Sequence, residues 1–370
     1  MKGLINDIGK KKLLIIIGAF VGFIFFIIII LLLIHALNNK NLTYKDIENK
    51  LSVAAKDYYS ENSDLLPQND GESTTVDDAT LTSSGNLKSM SDLTSKMDGV
   101  SCTGKVIVNR VDANYRYTPI LDCGDKYKTI TLVSYITDNE QRVFEGQGLY
   151  DLNGDLVYRG DDPNNYVRFS DKLYRIVKIT NGEIVLILNG KIGYSVWDNR
   201  YNIDVESSNG INDYTISIIS KTMSDIYKDV KLIKEEDKTL LAAYNLEIGR
   251  RKSVDNYNDG SIEKSTLYNN QYIGLLPLYD YINASLDVNC NAAEDESCVN
   301  YNYLNDFDEP WWLITGAYLN TYRAYYVAYD GEIGGANCSS SNAVRPVIHL
   351  SSSAIYVGGK GTLEEPYLVK

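Results

Sequence analysis

The pattern of apolar and polar positions first separates an apolar run from the rest of the chain. Residues 13–37 read LLIIIGAFVGFIFFIIIILLLIHAL and hold no charge unless His35 is protonated. As a helix rising about 1.5 Å per residue, this run is roughly 37 Å long, more than the ~30 Å hydrocarbon core of a bilayer. It lacks the short apolar region and small-residue cleavage site of a signal peptide. The pattern predicts a single transmembrane helix at 13–37.

The charges beside this run predict its orientation. Lys10, Lys11 and Lys12 precede it directly, and no basic cluster follows at once. By the positive-inside rule, residues 1–12 are a cytoplasmic tail and the chain from about residue 38 lies outside. The predicted localisation is therefore the cell membrane, with a single pass, and the lipid bilayer is the partner of residues 13–37.

Helical periodicity follows in residues 41–62. Apolar and tyrosine side chains recur there at three-to-four spacing, and Thr43 and Asp46 fit a capping box. Residues 76–90 predict a shorter helix that stops near Gly85. From Cys102 to Cys123 the pattern changes to that of strands. Residues 38–130 are thus expected to form one α+β domain.

Residues 131–150 predict connector strands, and residues 151–370 a second, mixed α+β domain. Its first part alternates strands with turns at NG, DDPNN and NG, and residues 211–249 contain two helical candidates. Strands return in WWLITGA, AYYVAYDGEI and NAVRPVIHL. In the last of these, Arg345, Val347 and His349 share one face. Pro346 cannot donate to a β-ladder, which favours an edge strand or a bulge.

Composition narrows the choice of partners. The formal net charge of −13 disfavours binding to phosphate backbones, so no nucleic-acid partner is expected. Thirty tyrosines against seven phenylalanines indicate either a biased nucleotide composition or a contact surface rich in tyrosine.

The five cysteines all fall on the predicted outer side, where disulfides persist. Cys102 and Cys123 frame the strand region, and Cys290 and Cys298 close a short acidic loop. Both pairs are predicted disulfides, and Cys338 is left over. A structural zinc site is not expected, because the chain has no CxxC pair and only two histidines.

One segment has the spacing of a calcium loop. DLNGD, at 151–155, places acidic and amide side chains at alternate positions, but Gly154 is misplaced and the twelfth position is Asp162 instead of Glu. A turn is the simpler interpretation. No cofactor or metal site is predicted, with Ca²⁺ left open at this turn.

Two parts of the chain resemble known families. Residues 41–130 resemble type IV pilin-like ectodomains in AAKDYYSEN, TTVDDATLTSSGNLKSM and the SCTGKV and YTPILDCG pair. The processing site of pilins is absent from KKKLLIIIGAF. The resemblance therefore implies a pilin-like α+β stalk on a permanent anchor.

The second resemblance covers about residue 164 to the end. DPNNYVRFSDKLYRIVKI, YIGLLPLYDYINA, EPWWLITGAYLNTYRAYYVAYDGEI, VRPVIHL and GGKGTLEEPY are similar to an uncharacterised extracellular domain of low-GC Gram-positive surface proteins. The strand pattern also resembles C-type-lectin-like folds, a scaffold that formylglycine-generating enzymes share. This resemblance implies a displayed head domain.

These observations favour a surface protein that presents a ligand-binding or adhesion head to a glycan or protein. Aromatic and arginine side chains are enriched where proteins hold ligands. The ligand-binding candidates are Trp312, Tyr318, Tyr322, Arg323, Tyr325 and Tyr329.

Two alternatives remain, a pilin-like structural subunit and an extracellular enzyme related to formylglycine-generating enzymes. No catalytic residue is predicted, since GxSxG is absent and His349 beside Ser351–Ser353 is adjacency only. The chain is therefore not expected to be an enzyme.

Overall fold

The computed structural model describes residues 42–305 and 307–370. Its α-helices are α1 (Tyr44–Glu61), α2 (Asp78–Ser83), α3 (Met90–Leu93), α4 (Leu132–Asn139), α5 (Ile218–Lys228) and α6 (Leu278–Ala284). Its strands are β1 (Ser73–Asp77), β2 (Thr103–Val111), β3 (Asn114–Asp122), β4 (Gly148–Leu152), β5 (Asp155–Arg159), β6 (Tyr166–Phe169), β7 (Lys172–Thr180), β8 (Glu183–Leu188), β9 (Gly193–Val196), β10 (Tyr244–Glu247), β11 (Leu267–Gln271), β12 (Ile273–Gly274), β13 (Trp311–Gly316), β14 (Arg323–Val327), β15 (Ile333–Asn337), β16 (Ser341–Val344), β17 (Val347–Leu350), β18 (Tyr356–Gly358) and β19 (Tyr367–Val369).

The predicted fold class and membrane localisation require correction. Within residues 42–305 and 307–370 no helix is both long enough and apolar enough to cross a bilayer. The helix predicted at 13–37 lies outside these residues. The fold is mixed α+β and rich in strand, with 24% helix and 33% strand, rather than a transmembrane helix followed by a pilin-like stalk.

The N-terminal unit is a three-stranded antiparallel sheet covered by one helix. The sheet order is β1-β2-β3, and α1 packs across β2 and β3 through Ile47, Leu51 and Ala55, which are fully buried. The predicted capping box at Thr43 and Asp46 is confirmed. Helix and sheet approach closely at Gly104, where a Cβ atom would lie 2.8 Å from Cδ1 of Leu51.

The C-terminal unit is built on a nine-stranded mixed sheet. Seven strands follow the order β12-β17-β8-β7-β6-β19-β18, while β5 pairs with β7 and β4 with β5. The connector expected to be strands at 131–150 instead contains helix α4. Leu132 and Ile136 are four residues apart, so they lie on the same face of this helix. Both are fully buried in the core of the C-terminal unit.

A five-stranded sheet, ordered β15-β14-β13-β16-β9, packs within the same core. The segment NAVRPVIHL crosses from this sheet to the nine-stranded one, because β16 belongs to the first and β17 to the second. Pro346 lies at the crossing, where it need not donate to a ladder. The expected edge position is wrong, since β17 runs between β12 and β8.

The second helical candidate in residues 211–249 is also corrected. Helix α5 occupies the first candidate, but the second contains a 3-10 helix, Glu235–Leu240, followed by strand β10. Leu246 of β10 is buried against the nine-stranded sheet, so tertiary packing has overridden the local helical pattern there.

Both predicted disulfides are present in the structure. Cys102 is bonded to Cys123 and Cys290 to Cys298, while Cys338 is a buried free thiol.

The two units are joined by polar contacts. Asn109 Nδ2 donates to Ser351 Oγ at 3.1 Å, and Arg116 donates to Thr239 Oγ1 at 3.3 Å.

Candidate functional site

The C-terminal unit contains a polar cavity of about 670 Å³, which we call the acid–amide pocket. Three adjacent strands, β7, β8 and β17, form one wall. The opposite side is built by β10, β11, the start of α6 and the β4–β5 turn. Its polar lining comprises four carboxylates, four amides, two lysines, a threonine, a tyrosine and a histidine: Asp155, Glu183, Glu247, Asp280, Asn153, Asn181, Asn245, Asn270, Lys178, Lys264, Thr180, Tyr244 and His349.

Strand register brings the central polar groups together. Val185 of β8 pairs with Lys178 on one neighbouring strand and with His349 on the other. A bulge in β7 between Ile176 and Lys178 shifts the pairing by one residue. Bulges re-aim side chains beside functional sites. Here the shift puts Lys178 on the same face as Val185 and His349, in the wall of the pocket.

Lys178 is the centre of a buried hydrogen-bonded network. Its Nζ lies 2.9 Å from Asp280 Oδ1 and also donates to the hydroxyl of Tyr279. That hydroxyl in turn donates to Glu247 Oε2 at 2.6 Å. Burial alone would lower the pKa of Lys178, but Asp280 and Glu247 outweigh it and raise that pKa, so the ammonium stays charged. The network fixes two carboxylates at the pocket wall.

His349 has an equally specific environment. Its ring stacks on Tyr244 with centroids 3.5 Å apart and an interplanar angle of 6°. Its Nδ1 lies 2.9 Å from Glu183 Oε2. Burial lowers the pKa of His349 despite this carboxylate, so the ring is neutral at pH 7. Because Glu183 can only accept, Nδ1 carries the proton and Nε2 is left as an acceptor.

This arrangement can bind a polar molecule but has a negative balance of charge. With His349 neutral, four carboxylates face two lysines, so the lining carries a net charge of −2. A neutral or cationic ligand is favoured over an anion.

No group of three or more metal-ligating side chains occurs within residues 42–305 and 307–370, the turn at 151–155 included. That turn is the tight β4–β5 hairpin, with positive φ at Asn153 and Gly154.

The residues predicted from sequence as ligand contacts lie elsewhere. Trp312 is fully buried and its Nε1 donates to Ser195 O at 2.9 Å, while Tyr325 is buried and donates to Arg251 O. Their side chains support the five-stranded sheet and do not reach the surface.

The other predicted contacts are split between the two ends of β14. Tyr318, Tyr322 and Arg323 lie at its beginning, and Tyr329 follows its end. Tyr318 and Tyr329 are exposed, at 58% and 69%. Five residues of strand at about 3.3 Å each separate the two ends, so these side chains do not form one cluster.

Sequence reasoning missed the acid–amide pocket. From the sequence, His349 is only adjacent to Ser351–Ser353, whereas in the structure it contacts Glu183 and Tyr244. One signal was present: Lys178 and Glu183 are charged residues next to strongly apolar strand segments, at KLYRIVKIT and EIVLIL. A charged residue inside an apolar strand is expensive unless it is paired, so each points to a buried polar contact.

Comparison with family models, with curated proteins and with solved structures finds no match to this chain. The interpretation of the pocket therefore depends on its own chemistry.

Proposed function

We propose that this chain is a ligand-binding protein and that the acid–amide pocket takes a polyhydroxylated ligand, a glycan. The observation that supports it is the lining of the pocket, where carboxylates, amides and a neutral imidazole converge on one cavity. Sugar hydroxyls both donate and accept, and carboxylates and amides offer matching partners.

Preorganisation of the wall also supports binding. Glu247 is held by Tyr279, Asp280 by Lys178, and Glu183 lies against His349. Groups that are already fixed lose little conformational entropy when a ligand arrives. The two disulfides are consistent with an extracellular protein.

The first test is a glycan array probed with the full chain. A double variant, Glu183→Gln with Glu247→Gln, keeps the shape of both side chains and removes two charges. We expect wild-type binding to a restricted set of glycans and its loss in the double variant. Tyr318→Ala is the matched comparison on the exposed loop and should leave binding intact. A wild-type chain that binds no glycan would refute the proposal.

The same array separates the pocket from the loop. If Tyr318→Ala or Arg323→Ala abolishes binding while the double variant retains it, the ligand binds at the candidate contacts beside the beginning of β14, Tyr318 and Arg323. Both sets of variants are compared by circular dichroism, so that loss of binding is read only from folded protein.

A further inference from the structure

A second cavity, of about 510 Å³, lies where the N-terminal unit meets the end of the chain. It is lined by the first half of α1, by β3 and the segment that follows it, and by residues around β18 and β19. We call it the basic cleft. Its charged lining residues are Lys45, Glu48, Arg116, Lys128 and Lys370.

The cleft is positive in a chain that is strongly negative. The charged side chains in the lining are four cations and one carboxylate, a side-chain charge of +3, whereas the side chains of the whole chain sum to −13. The carboxylate is already engaged, since Glu48 accepts from Lys45 at 3.0 Å and from Tyr127 at 2.7 Å and also from Thr129. The lining supplies no further carboxylate side chain to balance the other cations.

Two of the cations have no ion pair among the residues that the structure describes. Lys128 is paired, since its Nζ lies 3.3 Å from Asp122 Oδ2. Arg116 donates only to the Thr239 hydroxyl, and Lys370 forms no salt bridge with the described residues. Arg116 keeps most of its guanidinium donors available. A guanidinium presents a planar fork that matches tetrahedral oxyanions in two-point contact.

Two of these cations, Arg116 and Lys370, are held at an electrostatic cost, whereas the hydrogen bond to Glu48 raises the pKa of Lys45. Lys45 and Lys370 are direct neighbours, and burial, Lys45 and Arg116 together lower the pKa of Lys370. Burial lowers the pKa of Arg116 as well. Like charges confined to one cleft destabilise the fold unless an anion joins them. A bound anion would remove this repulsion and link Lys45 and Arg116 of the N-terminal unit to Lys370.

We propose that the basic cleft binds a phosphate or sulfate group, at a site separate from the acid–amide pocket. The two cavities differ in sign, so they select different groups: the pocket excludes anions and the cleft attracts them. This inference does not depend on the glycan proposal, because no residue lines both cavities.

Titration calorimetry of the full chain with inorganic pyrophosphate and with inorganic sulfate, at equal ionic strength, tests this site. We expect saturable binding of at least one of them. Tighter binding of pyrophosphate assigns the site to phosphate, and tighter binding of sulfate assigns it to sulfate esters; both outcomes support the proposal. Absence of saturable binding of either anion overturns it.

Charge variants locate the anion. Arg116→Gln and Lys370→Gln should each weaken binding about tenfold, the effect expected for losing one charge-assisted hydrogen bond. Lys221→Gln removes one charge from a lysine outside both cavities and should leave the affinity within about twofold. Equal weakening by Lys221→Gln would show a diffuse ion atmosphere instead of a site.

Lys370→Gln adds a second readout. Because burial and the neighbouring Lys45 both disfavour the charged form of Lys370, its neutralisation should leave the chain without anion as stable as the wild type or more stable. At the same time the anion-induced rise in Tm should shrink. A loss of stability without anion, with the anion-induced rise unchanged, would mean that Lys370 has only a structural role.

Discussion

At the scale of single residues, the C-terminal unit is notable for charges that are buried in pairs. Arg251 and Glu263 are both fully buried and lie 3.0 Å apart. Arg251 also donates to the carbonyl of Asp255, and its own carbonyl accepts from Tyr325. The ion pair holds the segment between β10 and β11 together, and the backbone carbonyl of Arg251 links this segment to the five-stranded sheet.

Breaking this pair on one side should be costly. Arg251→Met leaves the Glu263 carboxylate buried without its partner, so we expect the free energy of unfolding to fall by about 3–5 kcal/mol. Denaturant unfolding measures it, with exposed Arg168→Ala as the control. The double variant Arg251→Met with Glu263→Gln should recover part of the loss. A single variant as stable as the control would show that the pair contributes nothing.

The protonation of buried His349 should contribute to the pH dependence of the free energy of unfolding. Because its pKa in the folded state is lowered by burial, the unfolded chain binds a proton more readily. The contribution of His349 is therefore fully present above its unfolded pKa of about 6.5 and is lost as pH falls toward the lower folded pKa. Denaturant unfolding between pH 7.5 and pH 5 should show a smaller loss of stability in His349→Gln than in the wild type. Identical profiles would contradict a buried, neutral imidazole.

At the scale of elements, the sequence predicted the features that depend on nearby residues and missed those that depend on contacts between distant segments. Helix α1 could be predicted because its capping box and apolar spacing lie within twenty residues of sequence. The pocket could not, because Val185 meets His349 through pairing across more than 160 residues. The prediction of a helix in the segment of β10 was wrong for the same reason. Whether this segment forms a strand depends on its pairing with β11 and on its packing against the nine-stranded sheet.

Close packing of α1 on its sheet gives a test at this scale. Gly104→Ala would place Cβ against the buried Leu51 side chain at 2.8 Å. We expect a loss of about 1–3 kcal/mol from overpacking, measured by denaturant unfolding. Gly335→Ala is the control, because its Cβ would lie 4.0 Å from the nearest side-chain atom. Equal stability of the two variants would mean that α1 shifts freely on the sheet.

At the scale of the whole molecule, the described residues form two units joined by contacts, with two cavities of opposite charge. The acid–amide pocket lies within the C-terminal unit, and the basic cleft lies between the units. The sequence predicted both disulfides. It did not predict the cavities, because each is assembled from segments far apart along the chain.

Glycan binding in the acid–amide pocket is tested most directly by the affinity of the full chain for a glycan selected on the array. Glu183→Gln with Glu247→Gln should weaken the affinity at least about tenfold, because two charge-assisted contacts in the acid–amide pocket are changed. Tyr318→Ala should leave it within about twofold, since this exposed side chain lies outside the pocket. The reverse pattern, with Tyr318→Ala weakened and the double variant unchanged, would contradict glycan binding in the acid–amide pocket.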